Sequence, residues 1–418
     1  MISKWKWLLV QMGRKLWVRA ALFALLGLVT VGLAWLLQHE IPAGIGAGLG
    51  ADAVDAILGI LASSMLAVTT FSLSIMVSAL AGSAESATPR ATALLLQDGT
   101  TQNVLATFLG AFLFSLVGII ALKAGVYTDG GRLVVFLATL AMVAIIVLTF
   151  LRWIAHLAGF GRMTDVAGRV ESAAAKAMQT RLATPYLGGH PRRGSPPHGA
   201  WPVLADQVGY VRHLDTHALS ELAEEAGLRL YVEVLPGAFV HPAAPLLWAL
   251  GPRAEGLERK LAAAFTLGET RSFDQDPRFG LAVLAEIASR ALSPAVNDPG
   301  TAIDILGRGL RVLAPWGARR RVDVLYPRLW VPEVVVGDLF EDFFRPIARD
   351  GAALVEVQIR LQKTLLALAR IDPEDFAPAA ARQSVEALER AEAALALEAD
   401  RAVLRVLADK VAAVASRR

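Results

Sequence analysis

Four long apolar runs fill the first 160 residues of this 418-residue chain, and no other feature restricts its fold as sharply. They cover Trp17–Leu37, Ala53–Leu80, Val104–Leu122 and Leu133–Leu151. A bilayer core of roughly 30 Å takes about 20 apolar residues of helix. Arg19 and Asp55 sit near run ends, and no ionised side chain falls near a middle. A helix lying on the surface of a soluble protein would carry a polar stripe that these runs lack. The pattern predicts a four-helix transmembrane domain over residues 17–160, with spans at 17–37, 53–80, 104–122 and 133–151. The first run exceeds a signal-peptide core and ends in Gln38-His39-Glu40-Ile41-Pro42, without a small-x-small cleavage site, so it reads as an uncleaved span.

Charge sets the orientation. Residues 1–160 hold 9 basic and 6 acidic side chains, and residues 161–418 hold 32 of each, so the net +3 belongs to the apolar front. Hydrophobic residues make up 55% and charged ones 19%, which argues against a basic nucleic-acid module. Lys4, Lys6, Arg14, Lys15 and Arg19 gather at the start of the first span, in and beside a basic N-terminus at 1–16. The next loop has Glu40 and Asp52 but no Lys or Arg. The positive-inside rule then places both termini in the cytoplasm. Trp5, Trp7, Trp17, Trp35 and Trp153 lie near span ends, where indoles favour the interface.

The second span is the most polar. On a helical wheel Gly59, Ser63, Ala67, Thr70, Ser74 and Ser78 share an arc of about 100°. Such a stripe serves helix packing, with hydroxyls bonded to backbone. The sharper alternative is the lining of a water-filled path between subunits. In the third span Thr107, Ala111 and Ser115, four apart, favour packing. No span carries the buried carboxylate, His or Arg of a proton-coupled pump or voltage sensor. Between the second and third spans, Ser86 or Thr88 before Pro89 caps a short helix to Gln97, closed by Gly99.

The remainder predicts a cytoplasmic α+β domain, mostly helical with a small β unit. Residues 161–203 read as a helical linker, with Val166, Val170, Ala174 and Met178 on one face, then a Pro/Gly-rich loop holding His190 and His198. Residues 204–252 read as a small αβ unit. It has strands at Val208–Val211, Leu228–Leu235 and Leu246–Leu250, and a helix over Thr216–Ala226 capped by Asp215 or Thr216. Residues 253–418 read as helical, ending in a hairpin of Ala352–Arg370 and Ala379–Ser416 broken at Asp372-Pro373.

Candidate chemistry is sparse. Cysteine is absent, which excludes disulfides, thiol nucleophiles and Cys metal sites. His213 and His217 are four apart with His241 nearby, but no His-Glu-x-x-His pattern accompanies them, and they read as surface histidines. No nucleophile elbow, P-loop or Gly-rich dinucleotide loop occurs. The sequence therefore predicts no enzyme, no cofactor and no metal site. The clearest polar constellation is Asp276 before one helix, and Ser293, Asn297, Asp298 and Thr301 after it. These residues suit a turn whose polar groups serve the backbone, and equally a loop that binds a ligand or another subunit.

Four strings carry a family resemblance: Ala106-Thr-Phe-Leu-Gly-Ala-Phe-Leu-Phe-Ser115, Pro236-Gly-Ala-Phe-Val240, Asp276-Pro-x-Phe-Gly-Leu281 and Arg290-Ala-Leu-Ser-Pro-Ala-Val-Asn-Asp-Pro-x-Thr-Ala302. In these the chain resembles the bacterial predicted membrane proteins grouped as domain of unknown function 2254. The resemblance implies four spans and a large soluble region, and brings no activity, ligand or catalytic residue. The combined expectation is a multi-pass protein of the bacterial inner membrane, partnered by the bilayer and by copies of itself and not by nucleic acid. It is a channel lined by the second span, or a scaffold or sensor acting through its cytoplasmic domain.

Overall fold

The computed structural model describes residues 16–37, 51–86, 88–96, 98–126, 129–157, 159–317 and 323–416. The basic N-terminus with Lys4, Lys6, Arg14 and Lys15, the loop bearing Glu40, and Trp5 and Trp7 lie outside these residues. The chain divides into two compact units, one from the described residues of 8–85 and 92–165, the other from 86–91 and 166 onward.

Among the described residues the first unit holds the helices α1 (Leu16–Leu37), α2 (Ala51–Ser86), α4 (Gly99–Lys123) and α5 (Asp129–Leu157), and the short α3 (Pro89–Leu96) runs across the boundary into it. Four of them, α1, α2, α4 and α5, are long and apolar enough to cross a membrane. They coincide with the four runs. The third span, α4, is the central post: Val104, Phe108, Ala111 and Phe114 are buried against residues of the other three. Close approach explains two glycines. A Cβ on Gly110 would overlap Phe23 of α1, and one on Gly118 would press on Leu58 of α2. Thr107, Ala111 and Ser115 are all buried, and the two hydroxyls donate to the carbonyls of Asn103 and Ala111, each at 2.8 Å. The packing expectation for this span holds. Between spans, the buried indole of Trp153 donates to Ser72 Oγ at 3.0 Å.

At the short helix, Thr88 is the cap, accepting from the Ala91 amide. Gly99 does not close it. It opens α4 instead, because Asp98 accepts from the Thr101 amide at 2.7 Å and stops the preceding turn.

The second unit holds all the strands among the described residues. After α6 (Met163–Ala183) come β1 (His190–Pro191), β2 (Trp201–Leu204), β3 (Gly209–Leu214), α7 (Thr216–Glu225), β4 (Arg229–Val232), β5 (Phe239–Val240) and β6 (Pro245–Leu250). Then follow α8 (Leu257–Ala262), β7 (Phe265–Gly268), α9 (Pro277–Ala291), α10 (Pro299–Leu313), β8 (Leu329–Val331) and α11 (Val336–Asp350). The chain ends with α12 (Val355–Ile371), α13 (Phe376–Ala394) and α14 (Glu398–Ala415). One sheet has order β1-β8-β4-β6-β2, the other β5-β3-β7. β8 runs parallel to both β1 and β4, and the remaining pairs are antiparallel. Across the parallel strands, Trp330 stacks on His190 at 5.2 Å and on Tyr231 at 4.9 Å. Leu214, Leu219, Leu230, Leu247 and Leu329 fill the core of this part.

The strands at 209–214, 229–232 and 245–250 sit where alternation predicts them, and Asp215 caps α7 by accepting from Ala218 N. The sheets also draw β1, β2, β7 and β8 from outside those runs. The expected single helix over 379–416 is two. It breaks at Leu395–Leu397, where Leu395 is buried and the Arg401 guanidinium caps its carbonyl. α12, α13 and α14 pack on one another as three helices, where a two-helix hairpin is predicted.

In the helical layer, Gly309 of α10 meets the buried ring of Phe343 of α11, and a Cβ there would overlap the ring. Gly309→Ala should therefore lower stability despite alanine's better helix propensity. Overpacking costs about 1–3 kcal/mol against a propensity gain of about 1 kcal/mol. A lower urea midpoint at unchanged slope checks this.

Candidate functional site

Two features stand out, each inside its own unit. In the membrane unit, α2 turns one face to its neighbours through Val54, Leu58, Leu61, Met65 and Ser72. The small-residue stripe lies on the opposite side of the wheel. Ser63, Ala67, Thr70, Ser74 and Ser78 are exposed and Gly59 is half-buried. The hydroxyls of Ser63, Thr70 and Ser74 donate to carbonyls of their own helix, to Gly59, Ala67 and Thr70 at 3.0, 2.8 and 3.1 Å. The stripe is narrow, with Thr70, Ser63, Ser74 and Ala67 inside about 60°. Exposed Leu66 and Val77 flank it on one side and Ile60 and Phe71 on the other.

A second polar cluster lies at the ends of α4 and α5. Asp98 Oδ2 accepts from Thr101 Oγ1 at 2.6 Å and lies 3.1 Å from His156 Nε2. The His156 ring stacks on Trp153 at 5.7 Å. The sequence hides this cluster, because Asp98 and His156 are far apart along the chain.

In the second unit, the polar residues of the Asp276-to-Thr301 stretch separate. The 15 residues of α9 stand between Asp276 and the loop at 293–301, about 22 Å of helix. In that loop, Asp298 accepts from Thr301 N at 3.0 Å and Thr301 Oγ1 at 2.6 Å. Ser293 Oγ donates to the Arg290 carbonyl at 2.7 Å. Asn297 is exposed and holds a left-handed backbone, φ 51°, a conformation that Asn tolerates better than most residues. These groups form the turn between α9 and α10. The Thr301 hydroxyl and amide hold the Asp298 carboxyl below its ordinary value.

Asp276 is different. It is 1% exposed and lines a cavity of ≈ 380 Å³ within the second unit. Its Oδ1 accepts from the amides of Arg278 and Phe279 at 3.1 and 3.2 Å, capping α9. Its Oδ2 accepts from Arg271 Nε and lies 2.8 Å from Arg271 Nη2. Burial pushes its carboxyl up from the ordinary value, against Arg271 and the two amides, which pull it down. The loop is pinned by Gln275, whose Oε1 accepts from Leu214 N at 2.9 Å. Gly237, at φ +100°, closes one wall, where a Cβ would overlap the Asp276 carboxylate.

Arg181, in the last turn of α6, also lines this cavity. It is 2% exposed, and its Nη2 donates to the Gln275 carbonyl at 2.9 Å. Among the described residues its Nη1 meets no hydrogen-bond partner. Burial pulls its pKa down to about 10, with Asp276 opposing. Arg278 is already spent on Asp342 through two bonds at 2.7 and 3.1 Å and on Asp338 at 2.6 Å. Sequence reasoning passed over Arg181. It stands three residues beyond Met178, on the apolar face of α6, and a cation continuing such a stripe is the signal that finds it.

The histidines do not converge. His213 is buried on β3, His217 is exposed on α7, and His241 accepts from Ala243 N. His213 thus departs from the surface placement expected of it, because it falls on an inward position of a strand. No group of three or more potential metal ligands gathers among the described residues.

Residues 13–367 match the family model described as predicted membrane protein (DUF2254). The chain belongs to that family. It is also similar to the uncharacterized proteins Rv1290c of Mycobacterium tuberculosis and Mb1321c of Mycobacterium bovis, at 30% identity over 230 residues. Each match covers 50% of this chain and 42% of the relative, so less than half of those longer proteins is represented. No solved structure matches.

Asp298→Ala tests the turn reading of the 293–301 loop. Loss of a helix cap costs about 1 kcal/mol. Asp298 has a lowered folded pKa, so its contribution is present above the ordinary value of 3.8 and is lost as pH falls through the folded value. The urea-midpoint difference between wild type and variant should be full at pH 7 and vanish below that value.

Proposed function

We propose that this member of the predicted membrane protein family is an oligomeric protein of the bacterial inner membrane, in which copies of the second span line a permeation path. The soluble unit lies in the cytoplasm and regulates the path. The orientation rests on the five basic residues at the start of the first span against none in the following loop.

One observation carries the reading. The Ser63–Ser78 stripe faces away from its own bundle and leaves a narrow hydroxylated line between two apolar ridges. The ridges suit contact with neighbouring copies or lipid, and the hydroxyl line suits a pore axis. Back-bonding to the helix leaves each hydroxyl oxygen a lone pair for water or a cation. Purified protein in planar bilayers should give discrete conductance steps, reduced at least tenfold in Ser74→Leu. Absence of conductance in both, across potential, tension and salt, would sink the proposal. The cysteine-free background offers a companion test of assembly. Ser74→Cys should form oxidant-dependent dimers in membranes, and Leu61→Cys on the buried face should not.

The second reading is a membrane-anchored scaffold or sensor acting through the cytoplasmic domain. The cavity beside Asp276 favours it, and moves its seat from Asn297 and Asp298 to the opposite end of α9.

A further inference from the structure

The cavity of the soluble unit has an uneven charge balance. Arg181 and Arg271 face a single buried carboxylate, Asp276. Of the other lining ions Glu333 is exposed, and the rest are engaged by neighbours. Arg278 is held by Asp338 and Asp342, and Glu233 by Arg192 at 2.9 Å and by the Trp248 indole at 2.9 Å. The buried end of the cavity therefore holds two cations, Arg181 and Arg271, against the one carboxylate Asp276, and among the described residues one N–H of the buried Arg181 guanidinium meets no acceptor. A buried donor without an acceptor is costly, and a buried unpaired cation more so. Proteins keep such groups where something supplies the missing acceptor.

We propose that this cavity binds a small molecule through a carboxylate or phosphate group received by Arg181 and Arg271. The proposal rests on the sensor reading of the soluble unit and names the class of ligand. Three features favour it. Guanidinium presents a planar fork of donors that fits carboxylate and phosphate oxygens. The volume of ≈ 380 Å³ falls in the range of small-ligand sites, about 300–1,000 Å³. The walls from 234–238 and 332–335 bring Leu235, Val334 and Val335 to hold an apolar body. Glu333 also lines the cavity, which disfavours a ligand with several negative charges.

Gly237 and Gln275 make the site a built one. Gly237 lets the β4–β5 turn press against the Asp276 carboxylate, and Gln275 fixes the loop that presents both Asp276 and the carbonyl held by Arg181. Arg271 is further fixed by its position over the Phe279 ring at 4.9 Å. The cations are thus preorganised, with little freedom left to lose on binding.

The test uses the full chain in lipid discs and four probes of similar size: phenyl phosphate, benzoate, benzyl alcohol and benzylamine. Phenyl phosphate or benzoate should raise the unfolding temperature saturably at constant ionic strength, and the neutral and cationic probes should not. Which of the two anions binds identifies the phosphate or the carboxylate source. Arg271→Gln should weaken that binding at least tenfold. Val335→Trp should do the same by filling the cavity from a position that is 52% exposed, and it decides the matter if the arginine variant does not fold. No saturable shift with either anion, or one untouched by both variants, would overturn the proposal. Binding of benzyl alcohol or benzylamine alone, blocked by Val335→Trp, would overturn the anionic class and leave the sensor reading standing. No binding by any probe would remove both.

Discussion

Within a hydrocarbon layer no water is available to hydrogen-bond peptide groups, so a spanning chain must satisfy its own backbone. That constraint governs the first 160 residues. It turns four apolar runs into four helices, and it sends the hydroxyls of Ser63, Thr70, Ser74, Thr107 and Ser115 back onto the carbonyls of their own helices. Helices already satisfied along their length associate through shape. Gly110 beneath Phe23 and Gly118 beneath Leu58 supply that fit, and α4 becomes the element on which the others lie. A side-chain bond between spans, Trp153 to Ser72, occurs where both groups are out of reach of solvent.

In the second unit single side chains often answer several buried groups at once. Asp276 caps a helix and holds Arg271 at once, and Gln275 bonds the strand beside it. Arg278 bridges α9 to α11 through two carboxylates. Among the described residues several buried side-chain atoms meet no hydrogen-bond partner, and of these Arg181 Nη1 belongs to a residue that lines the cavity. It marks the cavity as different in kind from the turn at Asn297 and Asp298, whose polar groups close on their own backbone.

The spans were readable because a bilayer demands a long, uniform signal that survives without knowledge of neighbours. The same holds for Asp215 and Thr88 as caps and for the break at Asp372, each a local rule acting within a few residues. Non-local pairing was hidden. β1 and β8 are two and three residues long, far below the length at which alternation is visible, and β1 pairs with β8 alone among the described strands. The split of the last helix at Leu395–Leu397 also escaped, since alanine-rich sequence on both sides continues the helical period. The candidate site mixes the two cases. Asp276 stood out as a polar residue before a helix, whereas Arg181, far earlier in the chain, is brought to its loop only by the fold.

The placement of β8 orders events in the life of the chain. It lies between β1 and β4 in the sheet, and it is the last strand in sequence. Until residue 331 has left the ribosome, β1 has no neighbour and the stack of His190, Trp330 and Tyr231 is missing its middle ring. All four spans are synthesised long before that. Every described span therefore precedes the closing strand in synthesis, and the sheet stays open on one side until β8 is made.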